Sequence, residues 1–229
     1  MVEIIEECLS TNAAISRDAP HGYSLMALRQ TAGRGQRGNT WEAEPGRNIT
    51  LSLMLRPHNL DVSRQFEVSE AVALGVLDLL RELGIDDVSV KWPNDIYVAD
   101  RKICGILIEN ALNGHRISRS IAGIGLNVNQ TEFLSDAPNP VSLRQLTGRE
   151  YPLNELAETM VAKILARLDR RDNHADYLRN LWRREGEHLW QTPDGTRFRA
   201  AIESVDPDGH LRLAGHPAPF AFKQISPIL

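Results

Sequence analysis

The strongest constraint on the fold comes from three apolar segments that follow one another with only a few residues between them. They read VSVKW, DIYVAD and KICGILIEN and occupy most of residues 88–110. Parallel neighbouring strands need a crossover of about a dozen residues or more, whereas antiparallel neighbours need only a short turn. The segments therefore predict an antiparallel meander, with a turn at Asp100 and Arg101 between its second and third strands.

The remaining patterns predict a chain that mixes strands and helices. Apolar residues recur at helical spacing from Phe66 until Gly84, which predicts one amphipathic helix. The stretch ITLSLML at 49–55 alternates, which predicts a strand with one buried face and leaves open whether it lies inside the sheet or at its edge. Further predictions are strands over 2–7, 24–30 and 118–127, a helix from Ser10 or Thr11 towards Arg17, a long loop over 31–48, and helical structure over 153–187.

After Trp190 the pattern changes to short strands. They read TRFRAAIESV, HLRLA and PFAFKQI, with turns expected at Asp194-Gly195 and Asp208-Gly209. We therefore predict a first domain over 1–186 and a small β domain over 187–229. A unit of about 40 residues is too small for a robust core of its own, so it is expected to dock on the first domain.

Composition excludes several classes of protein. The net charge of −4 does not favour a general nucleic-acid surface. Cys8 and Cys104 stand in apolar stretches without a CxxC partner, which favours buried thiols over a disulfide or a thiolate metal site. The N-terminal MVEIIEECLSTN does not have the pattern expected of a signal peptide, and no stretch approaches the ~20 apolar residues of a membrane span. A cytoplasmic location is expected.

The glycine-rich stretch from Thr31 to Trp41 formally contains GxGxxG. A dinucleotide-binding fingerprint must open a helix, but here NTWEAEPGRN follows, so a dehydrogenase is disfavoured. Glycines let backbone N–H groups converge on an anion, and Arg34 and Arg37 add donors suited to phosphate or carboxylate. The alternatives are a solvated surface loop and a Trp41 that only anchors the core.

Two further stretches carry charged and amide side chains next to predicted strands. In KWPND, a cation, an amide and a carboxylate share one tight corner, although Asn-Asp also suits a plain hairpin turn. In KICGILIE, regular alternation places Lys102 on the face of Cys104, Ile106 and Ile108, where a lysine usually extends outward. Gly105 leaves room for a ligand, and GIGLNVN ends a strand with two amides.

Taken in order, GRGQRGNTW, KWPND, KICGILIE and GIGLNVN resemble the signature of the biotin–protein ligases, and Ser10, Thr11 and Asn12 match that family's STN element. The resemblance extends over about residues 2–130. It implies an α+β fold in two layers, with a mixed, mostly antiparallel sheet flanked by helices as in class II synthetases. A small C-terminal SH3-like β-barrel would follow.

The resemblance also implies roles for individual residues. The biotin site would comprise Ser10, Thr11, Asn12, Gln30, Gly33, Arg34, Gly35, Gln36, Lys102 and Gly105. The nucleotide would be bound by Arg37, Trp41, Lys91, Asn94, Asp95 and Asn127, of which Lys91 could equally be structural. The catalytic residues would be Lys102, Arg34 and Asp95, the last either a base or an orienting group.

The implied activity is formation of biotinyl-5'-AMP from biotin and ATP, followed by transfer of biotin to a lysine of a biotin carboxyl carrier protein, a carboxylase subunit. Mg²⁺ would enter with ATP near Asp95, and no thiolate or histidine metal site is expected. Many family members carry arginine where this chain has Gln36, and many have a longer tail. With the STN element at residue 10, no helix-turn-helix domain and no DNA partner are expected. Monomer and homodimer both stay open.

Two other functions remain as alternatives. One is a lipoate or octanoate ligase or transferase, whose catalytic domain is related. The other is a non-catalytic biotin- or nucleotide-binding protein.

Overall fold

A computed structural model describes residues 1–134, 139–170 and 172–228, without the side chain of Arg37. In this part of the chain, the main sheet has seven strands in the order β1-β2-β3-β7-β6-β5-β4. β1 and β2 are parallel and every other neighbouring pair is antiparallel, which confirms the mixed, mostly antiparallel sheet. The strands are β1 (Glu3–Cys8), β2 (Ser24–Gln30), β3 (Ile49–Leu55), β4 (Val88–Lys91), β5 (Asp95–Val98), β6 (Arg101–Asn113) and β7 (Arg116–Leu126).

The predicted meander is confirmed as β4, β5 and β6. Its second turn lies one residue earlier than predicted, at Ala99 and Asp100, because Ala99 adopts a positive φ of 51° and β6 already begins at Arg101. The first turn contains a cis peptide bond between Trp92 and Pro93. KWPND therefore links the edge strand β4 to its neighbour β5.

β3 is an inner strand, and the expectation of one buried face is wrong. All of its side chains are buried, because β2 and β7 flank it and both of its faces are covered. Its polar members bond internally: the Thr50 hydroxyl donates to the Ala27 carbonyl at 2.7 Å. The alternation in ITLSLML therefore separates two buried environments.

Helices cover the sheet. The helices are α1 (Thr11–Ala14), α2 (Phe66–Glu82), α3 (Leu143–Thr147), α4 (Leu153–Leu168) and α5 (Asn173–Arg179). α2 ends close to Gly84, as predicted. α1 is a single turn, shorter than predicted, because Ile15 turns to an extended conformation and buries against Leu25 and Met54. Among the described helices, none is long and apolar enough to cross a membrane.

Helical structure over 153–187 is confirmed only as far as Arg179. Beyond α5 the backbone pairs with the edge strand β4 instead of continuing as a helix. The Val90 N–H donates to the Asn180 carbonyl at 2.7 Å, and the Trp182 N–H donates to the Val90 carbonyl at 2.8 Å. These bonds use the free edge of the sheet and end the helix.

The C-terminal residues form short strands: β8 (His188–Gln191), β9 (Arg197–Ala200), β10 (Ile202–Val205), β11 (Leu211–Leu213) and β12 (Ser226–Pro227). They make two small sheets in the described chain, consistent with an SH3-like fold. Most of PFAFKQI is not a strand, because its pairing is limited to one bridge between Phe220 and Leu211. Gly195 and Gly209 have positive φ values, as the predicted Asp-Gly turns require.

This tail packs against the rest of the chain. The Trp92 indole N–H donates to the Gly209 carbonyl at 2.9 Å, and the apolar residues of both parts belong to one hydrophobic cluster. We propose that a boundary near residue 187 separates a first domain over 1–186 from a docked β domain over 187–229.

Gly75 of α2 provides a test of the helix packing. A Cβ at this position would lie 2.6 Å from Cα of Ile164 in α4. Alanine is the better helix former by about 1 kcal/mol, yet a clash with backbone requires the helices to separate. We expect Gly75→Ala to lower the free energy of unfolding by about 1–3 kcal/mol, measured by urea denaturation. Ser69→Ala, on the same helix, controls for helix propensity and should not destabilise; a stabilised Gly75→Ala protein would contradict the packing.

Candidate active site

A cavity of about 720 Å³ opens between the main sheet, the loop from Thr31 to Trp41, which we call the glycine-arginine loop, and the C-terminal tail. Its size lies in the range of roughly 300–1,000 Å³ found for small-molecule sites. The predicted site residues in its lining are Ser10, Thr11, Asn12, Gln30, Arg34, Gly35, Gln36, Trp41, Lys91, Asn94, Asp95, Lys102 and Gly105. Residues from distant parts of the sequence thus meet at one place.

The floor of the cavity is a pair of glycines beneath a tryptophan. Gly105 of β6 and Gly125 of β7 are cross-strand partners. A Cβ at Gly125 would lie 2.2 Å from Cε2 of Trp41, and one at Gly105 would lie 2.9 Å from Cζ3 of the same ring. The indole therefore lies against bare backbone, and only glycines permit this approach.

The loop that carries Trp41 is held by its own backbone. The Trp41 N–H donates to the Gly33 carbonyl at 3.1 Å, and Arg34 forms an antiparallel bridge with Thr40. Gly33 is not in the described cavity lining. It allows the loop to close tightly, because a Cβ at this position would lie 2.6 Å from the Trp41 carbonyl oxygen. The indole Nε1 is buried against Gly125 and has no hydrogen-bond partner among the described residues.

One end of the cavity is polar and tightly bonded. Gln30 Oε1 accepts from the Thr11 backbone N–H at 2.7 Å. The Ser52 hydroxyl lies 2.8 Å from Thr11 Oγ1 and 2.5 Å from Asn12 Oδ1. Ser52 was not predicted as part of the site, although a serine inside a buried strand was the signal that could have identified it.

Lys102 does not share a face with Cys104, Ile106 and Ile108, so that expectation is wrong. Tyr97 pairs with Lys102 but its neighbour Ile96 pairs with Cys104, which makes Ile103 the extra residue of a β-bulge. A bulge re-aims the side chains on one side of it relative to the other. Cys104 and Ile106 remain in the core, whereas Lys102 turns into the cavity above Gly105.

Asp95 holds Lys102 in this position. Lys102 Nζ lies 2.7 Å from Asp95 Oδ1, with both side chains about one-fifth exposed. The same Nζ is 5.7 Å from the Trp41 ring centroid. Asn94 Nδ2 donates to the Ile106 carbonyl at 2.5 Å and fixes the turn to β6. A lysine with one carboxylate partner keeps donors free for an anion.

Lys91 is a second cation in the lining, with a different environment. Its Nζ donates to the Tyr97 hydroxyl at 2.9 Å and lies 4.9 Å from that ring's centroid. Burial lowers the pKa of Lys91, while the nearby Asp95 carboxylate opposes this shift. Burial also raises the pKa of Tyr97, which keeps its hydroxyl protonated.

The remaining predicted residues to place are Asn127, Arg37 and Gln36. Asn127 is buried beside the sheet, where its Nδ2 donates to the Val141 carbonyl at 3.1 Å, and the described lining of the cavity does not include it. The side chain of Arg37 lies outside the described residues. Gln36 does line the cavity, and its buried Oε1 has no partner in the described part of the chain.

The tail contributes cavity residues that the sequence did not indicate. Phe222, Ile225, Ser226 and Pro227 all belong to the lining, and the Phe222 ring packs edge-on against Trp92 of KWPND. Leu134, almost fully exposed, also lies at the rim. The tail therefore forms part of the cavity wall, although it is distant in sequence from the motifs.

The cysteines take no part in the cavity. Cys104 is buried, as predicted, and burial raises its pKa. Cys8 is only half-buried, contrary to the prediction, because it ends the edge strand β1. In the ranges that the structure describes, no group of three or more His, Cys, Asp or Glu side chains could hold a metal ion.

Comparison with known proteins gives this site a family. The model of the biotin/lipoate A/B protein ligase family matches residues 10–127, more than half of the chain. The chain belongs to the biotin/lipoate A/B protein ligase family. This confirms the resemblance read from the motifs at the level of the family.

Individual relatives of this family agree. The bifunctional ligase/repressor BirA of Bacillus subtilis is 35% identical over 140 residues, which are 59% of this chain and 42% of that protein. The chain thus spans less than half the length of this relative. The biotin–[acetyl-CoA-carboxylase] ligase of Paracoccus denitrificans is 29% identical over 231 residues, covering 90% of this chain and 91% of that one.

A solved structure from the biotin/lipoate ligase family shows the same fold. The biotin protein ligase from Aquifex aeolicus in complex with biotin and ATP superposes with a TM-score of 0.79 at 22% identity. The superposition covers 99% of this chain and 98% of that one. The chain therefore shares its overall fold, from the main sheet to the C-terminal strands, with that structure.

The glycine floor predicts a specific effect of Gly125→Ala. The new methyl group collides with the indole, so Trp41 must leave its position on β7 and become more exposed. We expect faster quenching of tryptophan fluorescence by acrylamide, with the urea midpoint nearly unchanged. In a Trp41→Phe background, Gly125→Ala should leave quenching unaltered. An identical change in both backgrounds would mean that the effect comes from another tryptophan.

Proposed function

We propose that this protein is an ATP-dependent biotin–protein ligase. It forms biotinyl-5'-AMP from biotin and ATP, then transfers biotin to a lysine of a biotin carboxyl carrier protein. The observation that carries the proposal is the position of Lys102, which pairs with Asp95 and extends over Gly105 into the cavity. The polar pocket, formed by Thr11, Asn12 and Gln30, lines the same cavity. The names of the relatives support the same activity.

In the first step, a biotin carboxylate oxygen attacks the α-phosphorus of ATP, and the bond to the β-phosphate oxygen breaks to release pyrophosphate. Both reactants are anionic, and negative charge spreads over the phosphoryl oxygens in the transition state. Lys102 and Arg34 line the cavity and would bind these oxygens. Electrostatic donors of this kind typically contribute about 3–4 kcal/mol each.

Mg²⁺ fits this site as a companion of the triphosphate. Protein sites for Mg²⁺ commonly supply one or two carboxylates while phosphates supply other ligands, and Asp95 lines the cavity. Asp95 would hold the ion together with ATP, and the ion would neutralise phosphate charge. Trp41 and the tail residue Phe222 would exclude water from the adenylate.

In the second step, the carrier lysine amine attacks the acyl carbon of the mixed anhydride, and AMP leaves. A free lysine has a pKa near ~10.4, so its neutral form costs about 4.6 kcal/mol at pH 7. The cationic cluster of Lys91, Lys102 and Arg34 favours the neutral amine. The 2.7 Å contact between Asp95 and Lys102 supports an orienting role for Asp95 over that of a base.

The polar end of the cavity favours biotin over lipoate or octanoate. Thr11, Asn12 and Gln30 line a bonded pocket that suits the ureido group of biotin, which both donates and accepts hydrogen bonds. A dithiolane or alkyl chain offers no acceptor to the second N–H of the Asn12 amide, since only one of the two is used by Glu109. Such a loss rejects the wrong substrate strongly, since buried polar groups without partners are costly.

The partner we propose is a carboxylase carrier domain, met in the cytoplasm. Duplex DNA is not a proposed partner, since the net charge is −4. Both monomer and homodimer are compatible with the proposed chemistry.

Lys102→Ala tests the proposed catalytic cation. We expect the rate of biotinyl-AMP formation to fall at least about 100-fold, because the lost donor is worth roughly 3–4 kcal/mol in the transition state. The rate is measured by chromatography of single-turnover reactions. The control is Lys163→Ala, which removes a lysine that pairs with Glu82 outside the cavity. A folded Lys102→Ala protein that forms the adenylate at the wild-type rate would sink the assignment.

Gln36→Arg tests the departure from the arginine that many family members carry. Charged hydrogen bonds contribute about 1.5–3 kcal/mol and neutral ones about 1, so the added charge is worth roughly 0.5–2 kcal/mol. We expect biotinyl-AMP to dissociate more slowly, by a few-fold to about thirty-fold, with little change in biotin affinity. Stopped-flow displacement measures the rates. Equal rates would mean that position 36 does not face the phosphate.

A further inference from the structure

Glu109 is the last residue of KICGILIE, and no role has yet been assigned to it. It lies on β6 and shares a face of the strand with Gly105 and Leu107, both of which line the cavity. Glu109 itself is not in the described lining, but its carboxylate bonds to Asn12, which is. Any effect of Glu109 on a ligand must therefore pass through another side chain.

Its carboxylate makes two contacts through the same oxygen. Glu109 Oε2 accepts from Asn12 Nδ2 at 2.7 Å and lies 3.5 Å from Arg34 Nη2. Asn12 begins the polar pocket, and Arg34 belongs to the glycine-arginine loop. Glu109 thus joins two segments to which we assign different parts of biotin, its ring and its carboxylate.

The first contact decides the orientation of an amide. A carboxylate only accepts hydrogen bonds, so the NH₂ of Asn12 must face Glu109. Asn12 Oδ1 then faces the Ser52 hydroxyl at 2.5 Å and rests against Gly123, where a Cβ would lie 2.4 Å from this oxygen. One N–H of Asn12 remains for a ligand acceptor such as a ureido carbonyl.

The orientation extends along the pocket. The Ser52 hydroxyl has one proton, which it donates to Asn12 Oδ1, so its oxygen is left to accept from the Thr11 hydroxyl at 2.8 Å. The charged end of this hydrogen-bond chain therefore sets the direction of these two bonds, while Gln30 Oε1 is held by the Thr11 backbone N–H at 2.7 Å.

The contacts of Glu109 are poorly suited to stabilising the fold. The side chains of Arg34 and Glu109 are 48% and 41% exposed, and ion pairs this exposed contribute little to the free energy of unfolding. A simple surface pair would leave ligand binding untouched, which distinguishes it from a residue that orients the pocket.

We propose that Glu109 is a positioning residue for biotin, which fixes the amide of Asn12 with its donor towards the ligand. This inference rests on the proposed function, because it takes biotin as the ligand of the cavity.

The first test measures biotin and ATP affinities by isothermal titration calorimetry. Glu109→Ala should weaken biotin binding about fivefold to tenfold, with ATP affinity and the urea midpoint unchanged. Glu109→Gln should retain biotin affinity within about twofold, because its Oε1 still accepts from Asn12. Glu7→Ala, which removes an exposed strand carboxylate paired with Arg29, is the matched control and should change nothing.

The second test asks whether Glu109 acts through Asn12. Adding Glu109→Ala to Asn12→Ala should cause no further loss of biotin affinity. An additive loss, or a Glu109→Gln variant as weak as Glu109→Ala, would overturn the inference. Wild-type protein that binds no biotin would overturn the proposed function together with this inference. Wild-type binding with unaltered affinity in Glu109→Ala would overturn this inference alone.

Discussion

The β-bulge at Ile103 is the constraint on which the site depends. A regular β6 would direct Lys102 to the face of Cys104, into the core, and leave Asp95 without its partner. The extra residue rotates Lys102 to the cavity face, where its Nζ meets Asp95 Oδ1 at 2.7 Å. A partly buried lysine without a partner would be costly, so the ion pair with Asp95 stabilises the conformation that the bulge imposes. The glycines beyond the bulge then leave a bare surface against which the Trp41 indole packs.

Two aromatic side chains from separate parts of the chain contribute to the cavity wall. Trp41 comes from the glycine-arginine loop, and Phe222 comes from the tail. The tail is held against KWPND by the bond from the Trp92 indole to the Gly209 carbonyl. The small β domain therefore contributes residues both to the cavity wall and to the hydrophobic core. For the proposed ligase, its docking is needed to complete the wall of the site.

The sequence predicted those features that depend on local pattern. Short gaps predicted the meander, helical spacing predicted α2, and the ordered motifs predicted which residues meet in the cavity. The face of Lys102 was missed, because the bulge is held by bonds to segments far along the chain, such as the Lys102 N–H to the Asn139 carbonyl and the Asn127 N–H to the Ile103 carbonyl. The full burial of β3 and the entry of Phe222 into the lining likewise depend on tertiary packing that periodicity does not encode.

The most direct test of the account is ATP–pyrophosphate exchange by the wild-type protein with one acid supplied at a time. Reversible adenylate formation returns labelled pyrophosphate to ATP only when the cavity accepts the acid and orients its carboxylate towards Lys102. We predict exchange with biotin, and none above background with lipoate or octanoate, because only biotin satisfies the bonded pocket around Asn12 and Thr11. Absence of exchange with biotin, or exchange supported by lipoate or octanoate, would contradict the account.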